Sequence, residues 1–406
     1  MGRRAYFAGV LGLFGLAAVC AALGAPGQLD SGFGTGGKVR TDIGGADWAS
    51  AVAIAPGGDV VVAGASGRDV AVARYDAAGR LDPTFGGGGT IVTDLGGDDS
   101  AVAVVVQPDN RIVAAGQRGP DLALARYLVN GTLDSSFDRD GVVVTDLGGE
   151  ERAIALLLRP DGRLVVVGPS SDGLVLARYL RDGRLDAGFG RGGAVVTRTS
   201  GLDWRSAALG SDGTIVVVGA RITTGAEQAM ALAVARYRPD GRLDRTFAGD
   251  GLRITSARRH WAGALHVAVR PDGRIVLGTH GHAGTDLAGF ALVRLRRNGA
   301  LDPSFGNGGI AVSNVGFGVH ALALDRRGRI VTAGRTTSLL DFVVARFLPN
   351  GRRDRSFAAT VTDFGGIDTP FWLALQPDGK IVVAGASGSS GALAGDIALA
   401  RYLSSG

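Results

Sequence analysis

Short apolar runs rich in β-branched residues alternate with tight polar turns along nearly the whole chain. Residues 101–146 show the unit. "AVAVVVQPDNRIVAAG" holds two apolar runs about the turn "QPDNR", "DLALARYLVNG" holds a third and ends in a second turn, and "TLDSSFDRDGVVVTD" ends in a fourth. Such runs, bounded by Pro, Asp, Asn and Gly, are the all-β pattern. Asp and Asn tolerate positive φ, and Pro presets the first turn residue. Most other units read "PDGR" at the first turn, as at Pro160–Arg163 and Pro271–Arg274. The unit predicts four antiparallel strands, A to D, which matches one blade of a β-propeller. The rival is a β-solenoid, whose coils are usually shorter and lack this hairpin chemistry.

The unit recurs at a nearly fixed period. "LDxxF" begins at Leu29, Leu81, Leu133, Leu185, Leu243 and Leu301, with a degenerate copy at Arg353, at spacings of 52, 52, 52, 58, 58 and 52 residues. Strand A is expected seven times, from about Ala51, Ala101, Ala153, Ala207, Ala264, Ala321 and Leu373. Strand C ends seven times, at Arg74, Arg126, Arg178, Arg236, Arg294, Arg346 and Arg401. The chain opens with a lone D segment (Leu29 to Asp42) and closes with a lone A–B–C set (Phe371 to Leu403). The expected fold is therefore an all-β, seven-bladed β-propeller spanning residues 25–406. Its N-terminal strand completes the last sheet, which closes the ring and removes a free edge.

Residues used identically in every unit are best read as frame. Tyr75, Tyr127, Tyr179, Tyr237, Leu295, Phe347 and Tyr402 follow the strand-C Arg, and Phe33, Phe85, Phe137, Phe189, Phe247, Phe305 and Phe357 belong to the motif. Both sets are assigned to packing between blades. Seven Arg and seven motif Asp (Asp30, Asp82, Asp134, Asp186, Asp244, Asp302, Asp354) suggest an internal ion-pair or turn-capping network rather than sevenfold ligand binding. Simple hairpin register places Arg74 and Asp82 on opposite faces, so their partners stay open.

The unit resembles the delta-60 repeat family. The likeness is carried by "LDPTFGGGGTIVTDLGG" from Leu81, "QPDGKIVVAG" from Gln376 and "DLALARYLVNG" from Asp121, and it extends over about Leu29 to Leu403. It implies an exported or surface-associated bacterial protein with a propeller fold, and it implies no catalytic residues.

The N-terminus adds a location. Arg3 and Arg4 precede an apolar run to Leu23, followed by Gly24 and Ala25. This reads as a signal peptide over residues 1–24, in preference to a membrane anchor, because the run is glycine-interrupted and barely long enough to span. Val19 before Cys20 does not fit a lipoprotein signal. Cys20 is the only cysteine, so the mature chain has no disulfide and no thiolate metal site. The net charge of +5 falls by the two leader arginines, and the remaining charges are scattered singly through turns. No basic stripe points to nucleic acid. The expected product is secreted or bound to the cell surface, monomeric, and without a membrane span.

Departures from the repeat mark the candidate function. The D–A and B–C connections share one face. From the strand-B glycine to the strand-C Arg, the B–C connection is 10 residues in blades one to three, then 17, 16, 12 and 16. Loops on a rigid scaffold are where binding tends to sit. All five histidines fall between residues 260 and 320, and four of them (His260, His280, His282, His320) are expected in D–A or B–C segments. "THGHAGTD" places His280, His282 and Asp286 together as candidate ligands for a divalent metal such as zinc. Trp48, Trp204, Trp261 and Trp372 are expected just before strand A, where they could stack on sugar rings or a peptide, or instead seal blade contacts.

The D–A segments of blades one to three and seven are acidic: Asp42, Asp47, Asp94, Asp98, Asp99, Asp146, Glu150, Glu151, Asp363 and Asp368. Those flanking blades four and five carry Arg198, Arg205, Arg258 and Arg259. Clustered carboxylates on glycine-rich loops could hold calcium. No EF-hand loop is present, since "DRDGVVVTD" from Asp138 lacks the distal Glu. No nucleophile elbow, zinc-protease helix or phosphate-loop motif occurs in a fitting context. The expected function is a binding or scaffold module for an extracellular glycan or protein. The alternative is a metal-assisted hydrolase or lyase with its site around blades four to six.

Overall fold

A computed structural model describes residues 24–222, 230–256, 261–281, 289–336, 340–389 and 395–404. The expected signal peptide, apart from Gly24, and most of the longer B–C loops lie outside the described residues. No described helix is long and apolar enough to cross a membrane.

The described strands form seven antiparallel four-stranded sheets, as the repeat predicts. Blade one runs from strand A (Asp47–Ile54) through B (Val60–Ser66) and C (Asp69–Tyr75) to D (Thr90–Thr93). Blade seven takes A, B and C from Ile367–Leu375, Ile381–Gly388 and Gly395–Tyr402. Its outer strand is Lys38–Thr41, with Lys38 opposite Ala400 and Thr41 opposite Ile397. The ring is closed by the N-terminal strand, as expected. Seven apolar clusters each straddle one blade junction. Val61 and Val72 of blade one meet Val104 and Ile112 of blade two, and Val60 and Val62 of blade one meet Val382 and Leu399 of blade seven.

In six of the seven blades strand A begins earlier than its apolar run suggests, at Asp47 rather than Ala51 and at Ile367 rather than Leu373, whereas in blade three it begins at Ala155 rather than Ala153. A β-bulge explains the difference. It falls between Ala49 and Ala51, Ala101 and Ala103, or Pro370 and Trp372, and it shifts the in–out alternation by one residue while the ladder continues. The bulge also explains the glycine that recurs late in strand B. A Cβ on Gly116 would lie 1.8 Å from the Ser100 carbonyl oxygen, and one on Gly64 would lie 1.8 Å from that of Trp48.

The recurring Arg and Asp are partners within one repeat, contrary to hairpin register. Leu81 bridges back to Tyr75, so the motif folds over the end of strand C before strand D begins. Arg74 Nε then donates to Asp82 Oδ2 at 2.8 Å. Asp82 Oδ1 accepts from the backbone and hydroxyl of Thr84. The same bond joins Arg126 to Asp134, Arg178 to Asp186, Arg236 to Asp244, Arg294 to Asp302 and Arg346 to Asp354, and across the closure Arg401 to Asp30. Each guanidinium lies over its motif Phe, at 4.4 to 4.9 Å from the ring centre.

Each guanidinium also reaches into the next blade. Arg74 donates to the Val129 carbonyl, Arg178 to that of Pro239 at 2.9 Å, and Arg401 to that of Ala77, which returns the chain of contacts to blade one. The turn glycines make room for this. A Cβ on Gly79 would lie 2.8 Å from the ring of Phe33, and one on Gly299 would lie 2.9 Å from that of Phe247. Tyr75, Tyr127, Tyr179, Tyr237 and Tyr402 each hydrogen-bond a strand-D threonine of the preceding blade, Tyr75 to Thr41 and Tyr402 to Thr362 at 2.8 Å. The repeated residues are therefore frame, and the charged ones lock each blade to its neighbour.

Candidate functional site

The Arg–Asp frame occupies the face that carries the A–B and C–D connections. The D–A and B–C connections lie on the other face, and the non-repeated residues gather there and along the inner strands.

The four tryptophans sit within strand A rather than before it, because strand A is longer than its apolar run. They do not form one ring. Trp48 pairs opposite Ala65, Trp204 opposite Gly219, Trp261 opposite Gly281 and Trp372 opposite Ala384, which are four different registers relative to the strand-B glycine. Trp204 is 1% exposed within the core between blades three and four, and its indole N–H donates to Thr199 Oγ1 at 3.0 Å. It is a packing residue with no face left for a ligand. Trp48 and Trp372 are half-buried on the adjacent inner strands of blades one and seven. Trp372 meets His266 of blade five edge-on, with ring centres 5.6 Å apart. Blades five and seven are not neighbours in the ring, so this contact spans the axial space. His266 is the one histidine that the sequence pattern had set aside.

The other histidines are more dispersed. His320 is half-buried within strand A of blade six (Phe317–Leu324), and His280 lies in strand B of blade five (Ile275–Gly281), opposite Ala262 and Phe290. Both are strand residues, not connection residues. His260, His282 and Asp286 lie outside the described residues, so the His280–His282–Asp286 set is not assembled by the described chain.

The acidic connections are brought together with segments that the sequence pattern did not single out. Three carboxylates converge at each of four blade junctions: Asp69, Asp94 and Asp99; Asp121, Asp146 and Glu151; Asp341, Asp363 and Asp368; and Asp42, Asp47 and Asp396. In each set, one oxygen per residue lies within 4.8 Å of the others. One acid starts or just precedes strand C, one follows strand D, and one lies at the approach to the next strand A. The local fold is the same each time. The outer carboxylate accepts from the backbone N–H two residues on, as Asp94 does from Gly96, where φ is +93°. The inner one accepts from the N–H four residues back, as Asp99 does from Leu95 at 2.8 Å and Asp368 from Phe364 at 2.7 Å. The spacing "TDxGGxD/E", joined to an Asp five residues before the strand-C Arg, is the signal that marks them in sequence.

Electrostatics set these groups apart from the frame acids. Burial pushes the Asp99 carboxyl up, and Asp94 and Asp69 add to it. Burial raises Glu151 and Asp341 likewise, with help from Asp146 and Asp121 and from Asp363 and Asp368. The frame acids move the other way. Burial would raise Asp134, but the bonds from Ser136 and the charges of Arg126 and Arg111 hold it below the usual carboxylate range.

A depression of about 720 Å³ opens on the opposite, A–B face. It is floored by the ends of strand A at Ile54, Val106, Leu158, Leu324 and Leu375 and edged by Asp325 and Asp378.

Solved structures share the fold at low identity. The chain is similar to the virginiamycin B lyase of Staphylococcus aureus (10% identical, 90% of this chain and 98% of that one, TM-score 0.53). It is similar to the polysaccharide lyase Uly1 (12%, 90% and 91%, TM-score 0.54). It is also similar to the hydrazine synthase of Kuenenia stuttgartiensis (14%, 90% and 98%, TM-score 0.53). No curated protein sequence matches the chain. The model of a β-propeller domain of unknown function, DUF5122, matches once per blade, at residues 56–85, 107–137, 159–189, 210–247, 270–305, 328–357 and 376–406. With more than half of its residues matched in seven successive segments, the chain belongs to the DUF5122 β-propeller family.

Proposed function

We propose that the protein is an exported binding or scaffold module that takes an extracellular glycan or protein on its loop face. One observation carries the reading. Trp48 and Trp372 are not repeated from blade to blade and stay half-buried on adjacent inner strands, and Trp372 meets the axial His266. Trp372 packs one side on the core between blades seven and one, and amphipathic rings left partly exposed suit stacking against a sugar or a peptide. Export is supported by the N-terminal pattern and by the resemblance to the delta-60 repeat family, and the exported chain is expected to begin at Ala25. A second reading is a metal-assisted hydrolase or lyase with its site around blades four to six, at His260, His280, His282 and Asp286, and lyases are among the similar structures. At those identities the likeness carries the fold alone.

A glycan array probed with labelled protein tests the first reading. The expected result is a defined glycan class whose binding falls at least tenfold in Trp48→Ala and Trp372→Ala and is kept in a folded Trp204→Phe. Equal binding by the parent and both alanine variants overturns it. Shortened glycan products appearing in the same incubations would replace it with the enzyme reading.

A further inference from the structure

The carboxylate triads stand apart from the Arg–Asp frame, on the opposite face of the ring. Like charges brought this close repel unless a cation joins them. Arg40 pairs with Asp396, which serves the triad at the junction of blades seven and one. Among the described residues, no Lys or Arg side chain lies within ion-pair distance of an acid of the other three triads, although the charge of Arg118 acts on Asp99 and that of Arg40 on Asp368. A second observation concerns the inner acids. Asp99 is 3% exposed and Asp47 is fully buried, yet Oδ1 of each has no hydrogen-bond partner. Their other oxygens are taken by backbone N–H groups. A buried carboxylate oxygen left unbonded is costly. A cation held by the triad would satisfy it.

The distribution around the ring adds a third observation. At the junctions that follow blades three, four and five, the strand-C acid is replaced by Gly173, Ala231 and Gly289, and the strand-D acid by Arg198, Ser256 and Asn314. The inner acid is replaced by Leu202 and Ala262 after blades three and four. Among the described residues, the three acids are present together at four consecutive junctions, and the other three junctions lack both the strand-C and the strand-D acid. Independent surface charges would be lost one at a time. A joint ligand requires all three.

We infer that the junctions bind calcium, with Asp69, Asp94 and Asp99 as the clearest site and the triads at Glu151, Asp368 and Asp47 as its equivalents. The donor set is all oxygen, which selects a hard cation over zinc. Calcium accepts six to eight oxygens at about 2.3–2.6 Å in flexible geometry, which suits carboxylates that converge from three separate segments. Magnesium sits at about 2.1 Å in strict octahedral geometry, which three carboxylates from three separate segments meet less readily. One ligand of each triad is exposed, so water can complete the shell. Each ion would tie strands C and D of one blade to strand A of the next, on the face opposite the Arg–Asp bonds.

The test is equilibrium dialysis of the full chain against calcium chloride, with excess magnesium chloride present, alongside thermal melting. Saturable calcium uptake is expected, with Kd of about 10⁻⁴ to 10⁻³ M, the range of extracellular modules. Calcium should raise the melting temperature where magnesium at the same concentration does not. Asp69→Asn with Asp94→Asn should remove one ion from the count. Without calcium, that variant should melt no lower than its parent, because charge removal relieves repulsion. If the pair does not fold, Asp94→Asn alone, at an exposed position, repeats the count. No uptake at about 10 mM calcium, equal displacement by magnesium, or an unchanged count in a folded variant overturns the assignment.

Discussion

Arg126→Met tests the frame most directly, because Arg126 does several jobs at once. It bonds Asp134 at 2.8 Å and Ser136 Oγ at 3.0 Å within its blade, reaches the Arg181 carbonyl of the next, and lies over Phe137 at 4.4 Å. Methionine keeps an apolar stem of similar reach and removes the guanidinium. Asp134, 3% exposed, is left with Ser136 and with Arg111 Nε at 2.9 Å. Breaking a buried ion pair from one side costs about 3–5 kcal/mol. The half-exposed Arg111 retains part of the neutralisation, which places the loss near about 3 kcal/mol. Urea unfolding followed by circular dichroism reads it as a lower midpoint at constant slope.

Replacing both partners, as Arg126→Met with Asp134→Leu, should cost less than Arg126→Met alone, since no charge is then stranded. The pH dependence has a fixed sign. Asp134 is held below the ordinary carboxylate value, so the stabilisation is complete above the unfolded pKa and disappears as pH falls through the folded one. The gap between parent and Arg126→Met should therefore close below about pH 4. A loss under about 1 kcal/mol at neutral pH, or a double variant less stable than Arg126→Met, would refute a structural ion pair.

Two further predictions address closure and the tyrosine seals. Deleting residues 25–42 removes the outer strand of blade seven and strands the buried Arg401 without Asp30. A much lower melting temperature and self-association on gel filtration are expected, and a truncated chain that melts like the parent contradicts closure. Tyr75→Phe removes the bond to Thr41 Oγ1 and leaves that buried hydroxyl unpaired, at about 1 kcal/mol. Leu295→Phe, at a position that already lacks the hydroxyl, provides the comparison, and equal losses in the two variants would deny the bond its role.

The repeat was legible because each unit cannot bury its apolar face alone. Period and turn chemistry therefore give the blade, and the split seventh unit gives the closure. Two features escaped pattern reading for definite reasons. The start of strand A is polar and out of phase, because the bulge at Ala49–Ala51 or Ala101–Ala103 breaks the alternation. The Arg–Asp pairing was hidden because the bridge from Leu81 to Tyr75 folds the motif over strand C, a step that hairpin register does not contain. The triads escaped for a third reason. Asp94 and Asp99 stood out as acidic, but their partner Asp69 lies in another connection and reads as a single solvated charge until the sheet is assembled.

The two faces of the ring divide the labour in a way that bears on function. On the A–B face the Arg–Asp–Phe unit is present seven times out of seven, because a ring with one weak junction opens there. Among the described residues, the loop face carries the acidic unit at four of the seven junctions, and its losses are consecutive. A device that the ring needed for closure could not be absent from three adjoining blades. The acidic arc therefore answers to something outside the frame. It runs over blades six, seven, one and two, and the opposite arc carries Arg198 and Arg205. A partner broad enough to cover the axis meets both arcs at once and can dock in one rotation, whereas a sevenfold face would accept it in seven. Under the binding role proposed above, the broken symmetry of the loop face would give a symmetric scaffold a single orientation for its partner.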